Sequence, residues 1–268
     1  MKKAILLSII TVSVFLFNSC DQTTIRTINK TYTNTVYLSN DTSKGSFTVF
    51  VNAELPICFH DKAILNSIYT NLNSQLFGEE FAEMSVDSVV NAFANDKIAE
   101  YMRVNQPLIA DMPTDIDSGL FNFLEIEGFS LLNNQKIYSY GINKNVYLGG
   151  KNRVYSTYYH NFDLKTGNRI LEKDLFVNNY EEQLGEIIKQ KLFQQIKLYK
   201  PEITSLKETG YIESKIKPNG NFYITDEGIM NYIFNPYEIA PYSYGQTEIS
   251  LTFAELSNIL KNRSILTR

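Results

Sequence analysis

The chain of 268 residues has two histidines, two cysteines and no tryptophan. His60 and His160 stand about a hundred residues apart, and no CxxC, HExxH or similar spacing occurs, so a zinc site or a Ser-His-Asp triad lacks most of its partners. No Walker A sequence and no GxGxxG is present; Gly149 and Gly150 stand alone in VYLGGKNRV and read first as a sheet bend or tight turn rather than a phosphate cradle. His160 alternates with Tyr159 in a strand-like run and reads as a half-buried sheet residue. Basic residues are outnumbered, 25 against 29 acids, which argues against nucleic acid or an anionic membrane surface as the main partner. The apolar run from Ala4 to Phe17, about fourteen residues, is short of the ~20 that a spanning helix needs.

What is present at the N-terminus is an export signal: Lys2 and Lys3, the apolar run, then Asn18, Ser19 and Cys20. The cysteine directly after a small residue resembles the lipobox of bacterial lipoproteins. That resemblance implies removal of residues 1–19, acylation of Cys20 and a protein held on the bacterial envelope, on the outer-membrane, periplasmic or surface side. Buried acyl chains, at about 0.8 kcal/mol per CH₂, make a stable tether. Cleavage lowers the basic count from 25 to 23 against 29 acids, a net charge of −6. With Cys20 acylated, no internal disulfide is available, and a chain of roughly 250 residues buries enough surface to do without one. Cys58, in ELPICFH, reads as a small buried hydrophobe.

Residues 20–44, rich in Thr, Asn and Ser, have the composition of a flexible tether. Phe47, Val49 and Val51 then alternate as in a strand. Asp61 is placed to cap a helix ending at Gly78, and a second helix follows Ser85. Between Leu120 and Ile170, FLEIEGFSLL, KIYSYGINKNVYL and RVYSTYYHNFDL predict an antiparallel meander with Gly167 in its closing turn. In YEEQLGEIIKQKLFQQIKLYKP, Leu184, Ile188, Leu192, Ile196 and Tyr199 share one helical face, and Pro201 stops the helix. NFYITDEGIMNYIF predicts a hairpin turning at Asp226, Glu227 and Gly228, and Thr252 with Glu255 forms a capping-box pair for a last helix. Helices and strands neither alternate strictly nor segregate, so the expected class is α+β: an antiparallel meander sheet packed with helices, in two modules.

Two constellations carry candidate chemistry. Carboxylates lie close in sequence at Glu125 and Glu127 and at Asp226 and Glu227, but glycoside cleavage needs two acids facing each other across a cleft, and solvated surface acids are the plainer reading. The second is FNPYEIAPYSYG, where Pro236 and Pro241 stiffen a loop bearing Tyr237, Tyr242 and Tyr244. Tyrosines held this way offer large contact area at small entropy cost; covering the sheet is the alternative use.

VYLGG, YHNFDLKTGNRILEKDLF and FYITDEGIMNYIFNPYEIAPYSYGQTEISLTFAEL together resemble the domain of unknown function at the C-terminal end of RsiV-like anti-sigma factors. GSFTVFVNAELPICFHDKAILNSIYTNLNSQLF is similar to the module that precedes PdaC-type peptidoglycan deacetylase domains. The resemblance spans roughly residues 45–262 and implies an N-terminal module at 45–118 and a C-terminal module at 119–268. It implies an extracytoplasmic binding role, because anti-sigma relatives sense lysozyme by binding it and other relatives accompany a cell-wall deacetylase. Where the family continues its glycine pair with Ala-His, this chain has Lys151 and Asn152, so no role is carried over for that histidine. The expectation is a lipid-anchored, non-enzymatic binding protein for an envelope protein or cell-wall glycan, without metal or cofactor. Its site would be Tyr237, Tyr242 and Tyr244 with Gly149 and Gly150; a carboxylate-dependent glycan hydrolase or esterase using Glu125, Glu127 or Asp226 is the alternative.

Overall fold

A computed structural model describes residues 23–111 and 120–261, with side chains omitted for Ala110 and Asp111. The signal segment 1–19 and Cys20 lie outside the described residues. Among the latter no helix is long and apolar enough to cross a membrane.

The class is α+β, as expected. Strands β1 (Arg26–Tyr37), β2 (Ser46–Cys58), β3 (Phe121–Asn133), β4 (Ile137–Tyr147) and β5 (Val154–Asp163) form one sheet in the order β1-β2-β3-β4-β5. All neighbours are antiparallel except β2 and β3, which run parallel because helices α1 (Lys62–Phe77) and α2 (Val89–Asn105) intervene as a crossover. Helix α1 starts where Asp61 accepts from the Ala63 and Ile64 amides at 2.8 and 3.1 Å, and ends at Gly78, whose φ of +116° favours glycine. Ile68 and Leu72 of α1 and Val89 and Phe93 of α2 pack on one sheet face, meeting Val49, Val51, Ile126 and Ile142 in one core.

A second core takes in Leu132, Ile137, Ile170, Leu175 of the short helix α3 (Glu172–Leu175) and the elements after it. Helix α4 (Glu181–Lys197) buries Leu184, Ile188 and Leu192, spaced by four, against a three-stranded antiparallel sheet of β6 (Phe222–Ile224), β7 (Ile229–Phe234) and β8 (Thr247–Thr252). Each such side chain contributes roughly 1.5–3 kcal/mol by leaving water.

Four expectations need correction. Residues 26–37, read as part of a tether, are strand β1; β-branched Thr and Val with Tyr32 pair with β2 along its length, and the polar composition reflects an edge position. The module boundary at 118/119 falls between β2 and β3 of one sheet; the second core instead draws mainly on residues after Leu164, joined by Leu132 and Ile137 of the large sheet. The last helix is a run of turns: the capping-box bonds of Thr252 and Glu255 form, but Ile259 C=O accepts from Val177 N–H at 2.9 Å and Lys261 N–H donates to Leu175 at 2.7 Å, so pairing with residues 175–177 takes the groups that would extend it. Tyr199, expected on the buried face of α4, is 86% exposed because α4 ends at Lys197, ahead of Pro201.

Candidate functional site

The two sheets meet at the free edge of β5, and the stretch FNPYEIAPYSYG forms part of the seam. Asn235 accepts from Thr157 N–H at 2.7 Å and donates back to Thr157 C=O at 3.1 Å. Asn221 accepts from Tyr159 N–H at 2.9 Å and donates to Thr157 C=O at 2.8 Å, while Asn161 donates to Phe222 C=O at 2.8 Å. Side-chain amides thus take the place of a neighbouring strand, satisfying backbone groups that burial would otherwise leave without partners.

Past Asn235 the chain turns through Tyr237, which has φ of +72°, a left-handed conformation unusual for a bulky residue. Its ring is 57% exposed and lies 5.2 Å from that of Tyr242. Its hydroxyl accepts from Asn152 Nδ2 at 3.0 Å, which ties the loop carrying Gly149 and Gly150 to the tyrosine loop. Gly149, at φ of +78°, lies in that loop's bend; a side chain at Gly150 would meet nothing nearer than the Asn152 carbonyl oxygen, at 4.0 Å.

Tyr244 belongs to a different grouping. Its hydroxyl donates to Thr209 C=O at 2.8 Å and its ring meets Tyr211 edge-on at 5.2 Å, so it braces the 206–211 segment. The expected five-residue site therefore resolves into a ledge of Tyr237 and Tyr242 with the glycine loop, and Tyr244 as a neighbouring support. Asn152, Tyr211, Asn221 and Asn235 are the participants that sequence reading passed over.

The carboxylates do not converge. Glu125 and Glu127 sit two apart on one face of β3, each accepting from an asparagine of β4: Asn145 Nδ2 at 2.8 Å and Asn143 Nδ2 at 3.3 Å. Asp226 accepts from Asn134 Nδ2 at 3.0 Å, at the opposite end of β4. No two of these three acids face each other. His160 is 4% exposed, neither ring nitrogen has a hydrogen-bond partner, and its pKa is pushed down to about 3 by burial first, then by Arg169 and Lys144. The half-buried reading becomes a fully interior one, on the sheet face packed by α1. Among the described residues no group of three or more His, Cys, Asp or Glu is placed to hold a metal. Cys58 is 6% exposed and belongs to the buried apolar set, in keeping with its reading as a small buried residue.

Among curated proteins none matches this chain. A crystal structure of a DUF3298 family member from Bacteroides fragilis NCTC 9343 is similar, with 25% identity and a TM-score of 0.83 over 90% of this chain and 96% of that one. A DUF3298 family protein from Pseudomonas aeruginosa PAO1, 13% identical, superposes with a TM-score of 0.59 over 92% and 99% of the two chains, a likeness of fold alone. Residues 173–254 match the family described as "Protein of unknown function (DUF3298)", a segment lying within the second core and containing both seam asparagines of that half together with all three loop tyrosines.

Proposed function

We propose that the chain is a non-enzymatic binding module of the bacterial cell envelope, anchored through an acylated Cys20, which recognises a lysozyme-like hydrolase or a cell-wall glycan through the Tyr237–Tyr242 ledge. The observation that carries this reading is Tyr237: a bulky residue held at φ of +72° with its ring exposed and pinned on both sides. Backbone strain of this kind costs about 1–3 kcal/mol and persists where surrounding structure imposes it, often at ligand-contacting positions. A ring fixed in advance loses little freedom on binding, which suits stacking on a sugar or insertion into a protein crevice. The likeness of residues 234–256 to the C-terminal domain of RsiV-like anti-sigma factors, and of 45–77 to the PdaC-type module, supports the choice of ligands. The hydrolase or esterase alternative has less support, because Glu125, Glu127 and Asp226 offer no facing pair.

Titration with lysozyme and with soluble peptidoglycan fragments tests the ledge. Tyr237→Gly is expected to weaken binding at least ~30-fold, the scale of an aromatic hot spot, while thermal stability stays level or rises because glycine accepts positive φ without strain. Absence of binding to both probes, or unchanged affinity in the variant, defeats the assignment.

The anchor is tested separately. The intact mass of the mature protein from membranes is expected to include the acyl groups, and Cys20→Ser is expected to move the protein to the soluble fraction. An unacylated mass, or a variant that stays with the membrane, removes the tether.

A further inference from the structure

Beyond the end of α1 the described residues do not fully cover the sheet face. A cavity of about 580 Å³ opens there, floored by Leu124, Ile126 and Val146 and walled by Phe47, Phe77 and Phe93. This volume falls within the range of about 300–1,000 Å³ usual for small-molecule sites. It lies on the face of the sheet packed by α1 and α2, and its edge at Leu148 adjoins the glycine loop.

Its lining is mostly apolar, and its polar members are unevenly placed. Lys144, on β4 opposite Ile126, donates from Nζ to Gln75 C=O at 2.8 Å and makes no ion pair with a described carboxylate. Two of its three ammonium hydrogens remain available. Burial lowers its pKa, the consequence of a cation whose hydration is only partly replaced. Glu100 and Lys97 also line the cavity, but they satisfy each other at 3.3 Å, and Lys97 has Asp96 at 3.2 Å as well. From Lys144 the floor runs over Val146 and Leu124 to Leu148, which is 70% exposed, a strand distance of roughly 13 Å. At that far end Asn122 presents a buried Oδ1 with no hydrogen-bond partner.

We infer that this cavity binds an unesterified fatty acid, its carboxylate on Lys144 Nζ and its chain laid along the apolar strip of β3 and β4. A cation without an ion-pair partner among the described residues, at one end of a mostly apolar trough, matches a ligand with one anion and a hydrocarbon tail. A neutral chain would leave the ammonium uncompensated, and a compact anion would leave the strip wet. Asn122 bounds the apolar length, because a methylene placed against an unpartnered carbonyl oxygen gains nothing. This site is independent of the tyrosine ledge and stands or falls apart from it.

The test is calorimetric titration of the purified chain with octanoate, decanoate, dodecanoate and tetradecanoate, each below its aggregation limit and each paired with the 1-alkanol of equal length. Saturable one-to-one binding is expected, tightening about fourfold per CH₂ and then levelling off, with acids at least tenfold tighter than alcohols. Lys144→Met is expected to erase the preference for acid over alcohol while alcohol binding persists, since it substitutes an apolar chain of similar length for a buried ammonium. Val146→Trp, which fills the trough, is expected to abolish both. No saturable binding, equal affinity for acid and alcohol, or a preference that survives Lys144→Met overturns the inference. So does concentration-dependent dimerisation that Val146→Trp disrupts, which would assign the trough to a second copy of the chain.

Discussion

Replacing Asn221 and Asn235 together with alanine is expected to lower the unfolding free energy by about 4 kcal/mol, a large part of the 5–15 kcal/mol typical of a folded protein. The two amides satisfy Thr157 N–H, Thr157 C=O and Tyr159 N–H, all at the buried seam between the cores. A buried backbone group left without a partner costs about 1–3 kcal/mol, and alanine supplies none of the lost donors or acceptors. Urea unfolding of the double variant should show a lower midpoint and, because the seam joins two cores, a separation of transitions that coincide in the parent. Asn34→Ala is the control: its amide reaches only Tyr32 Oη at 3.4 Å on the exposed face of β1, so its effect should stay within ~0.5 kcal/mol. A loss below ~1 kcal/mol in the double variant would mean that water replaces the amides at little cost.

Acidification is expected to destabilise the protein through His160. Folding holds this imidazole near a pKa of about 3, against 6.5 when free, so between those values the unfolded chain binds the extra proton. Stability is therefore full above pH 6.5, declines as pH falls, and stops declining from this source below about pH 3. The total is on the order of 5 kcal/mol, at about 1.4 kcal/mol for every tenfold loss of proton affinity on folding. Burial is the first cause, and Arg169 and Lys144 add positive potential with no described carboxylate paired to the ring. His160→Gln should flatten the stability profile between pH 6.5 and 3 by that amount relative to the parent. Comparing the two proteins isolates the histidine from carboxylates that titrate in both. Parallel profiles would show that water reaches the ring and that its pKa is close to the free value.

Much of the fold was legible because local signals and burial agreed. The Asp61 cap and Gly78 stop bound α1, the spacing of Leu184, Ile188 and Leu192 marks α4, and Gly167 and Gly228 sit in turns at positive φ. β1 was hidden because an edge strand with one neighbour needs no apolar alternation, so RTINKTYTNTVY has the composition of a linker. β8 carried a readable signal in Thr247, Ile249 and Leu251, all buried and two apart, which the prolines upstream and the capping-box pair downstream obscured. At the site, the meeting of Tyr237 with the glycine loop depends on Asn152 reaching across 85 residues of chain, a contact no local pattern encodes. The asparagines were passed over for a similar reason: a side-chain amide standing in for a strand looks, in one dimension, like an ordinary turn residue.

The seam also limits how copies of the molecule can associate. With amides occupying the outer flank of β5, the five-stranded sheet keeps, among the described residues, one flank for hydrogen bonding to another chain, that of β1. Association along that flank joins like to like, which closes at two subunits and leaves neither with a flank to continue from, so this sheet can template a pair and cannot seed a fibre.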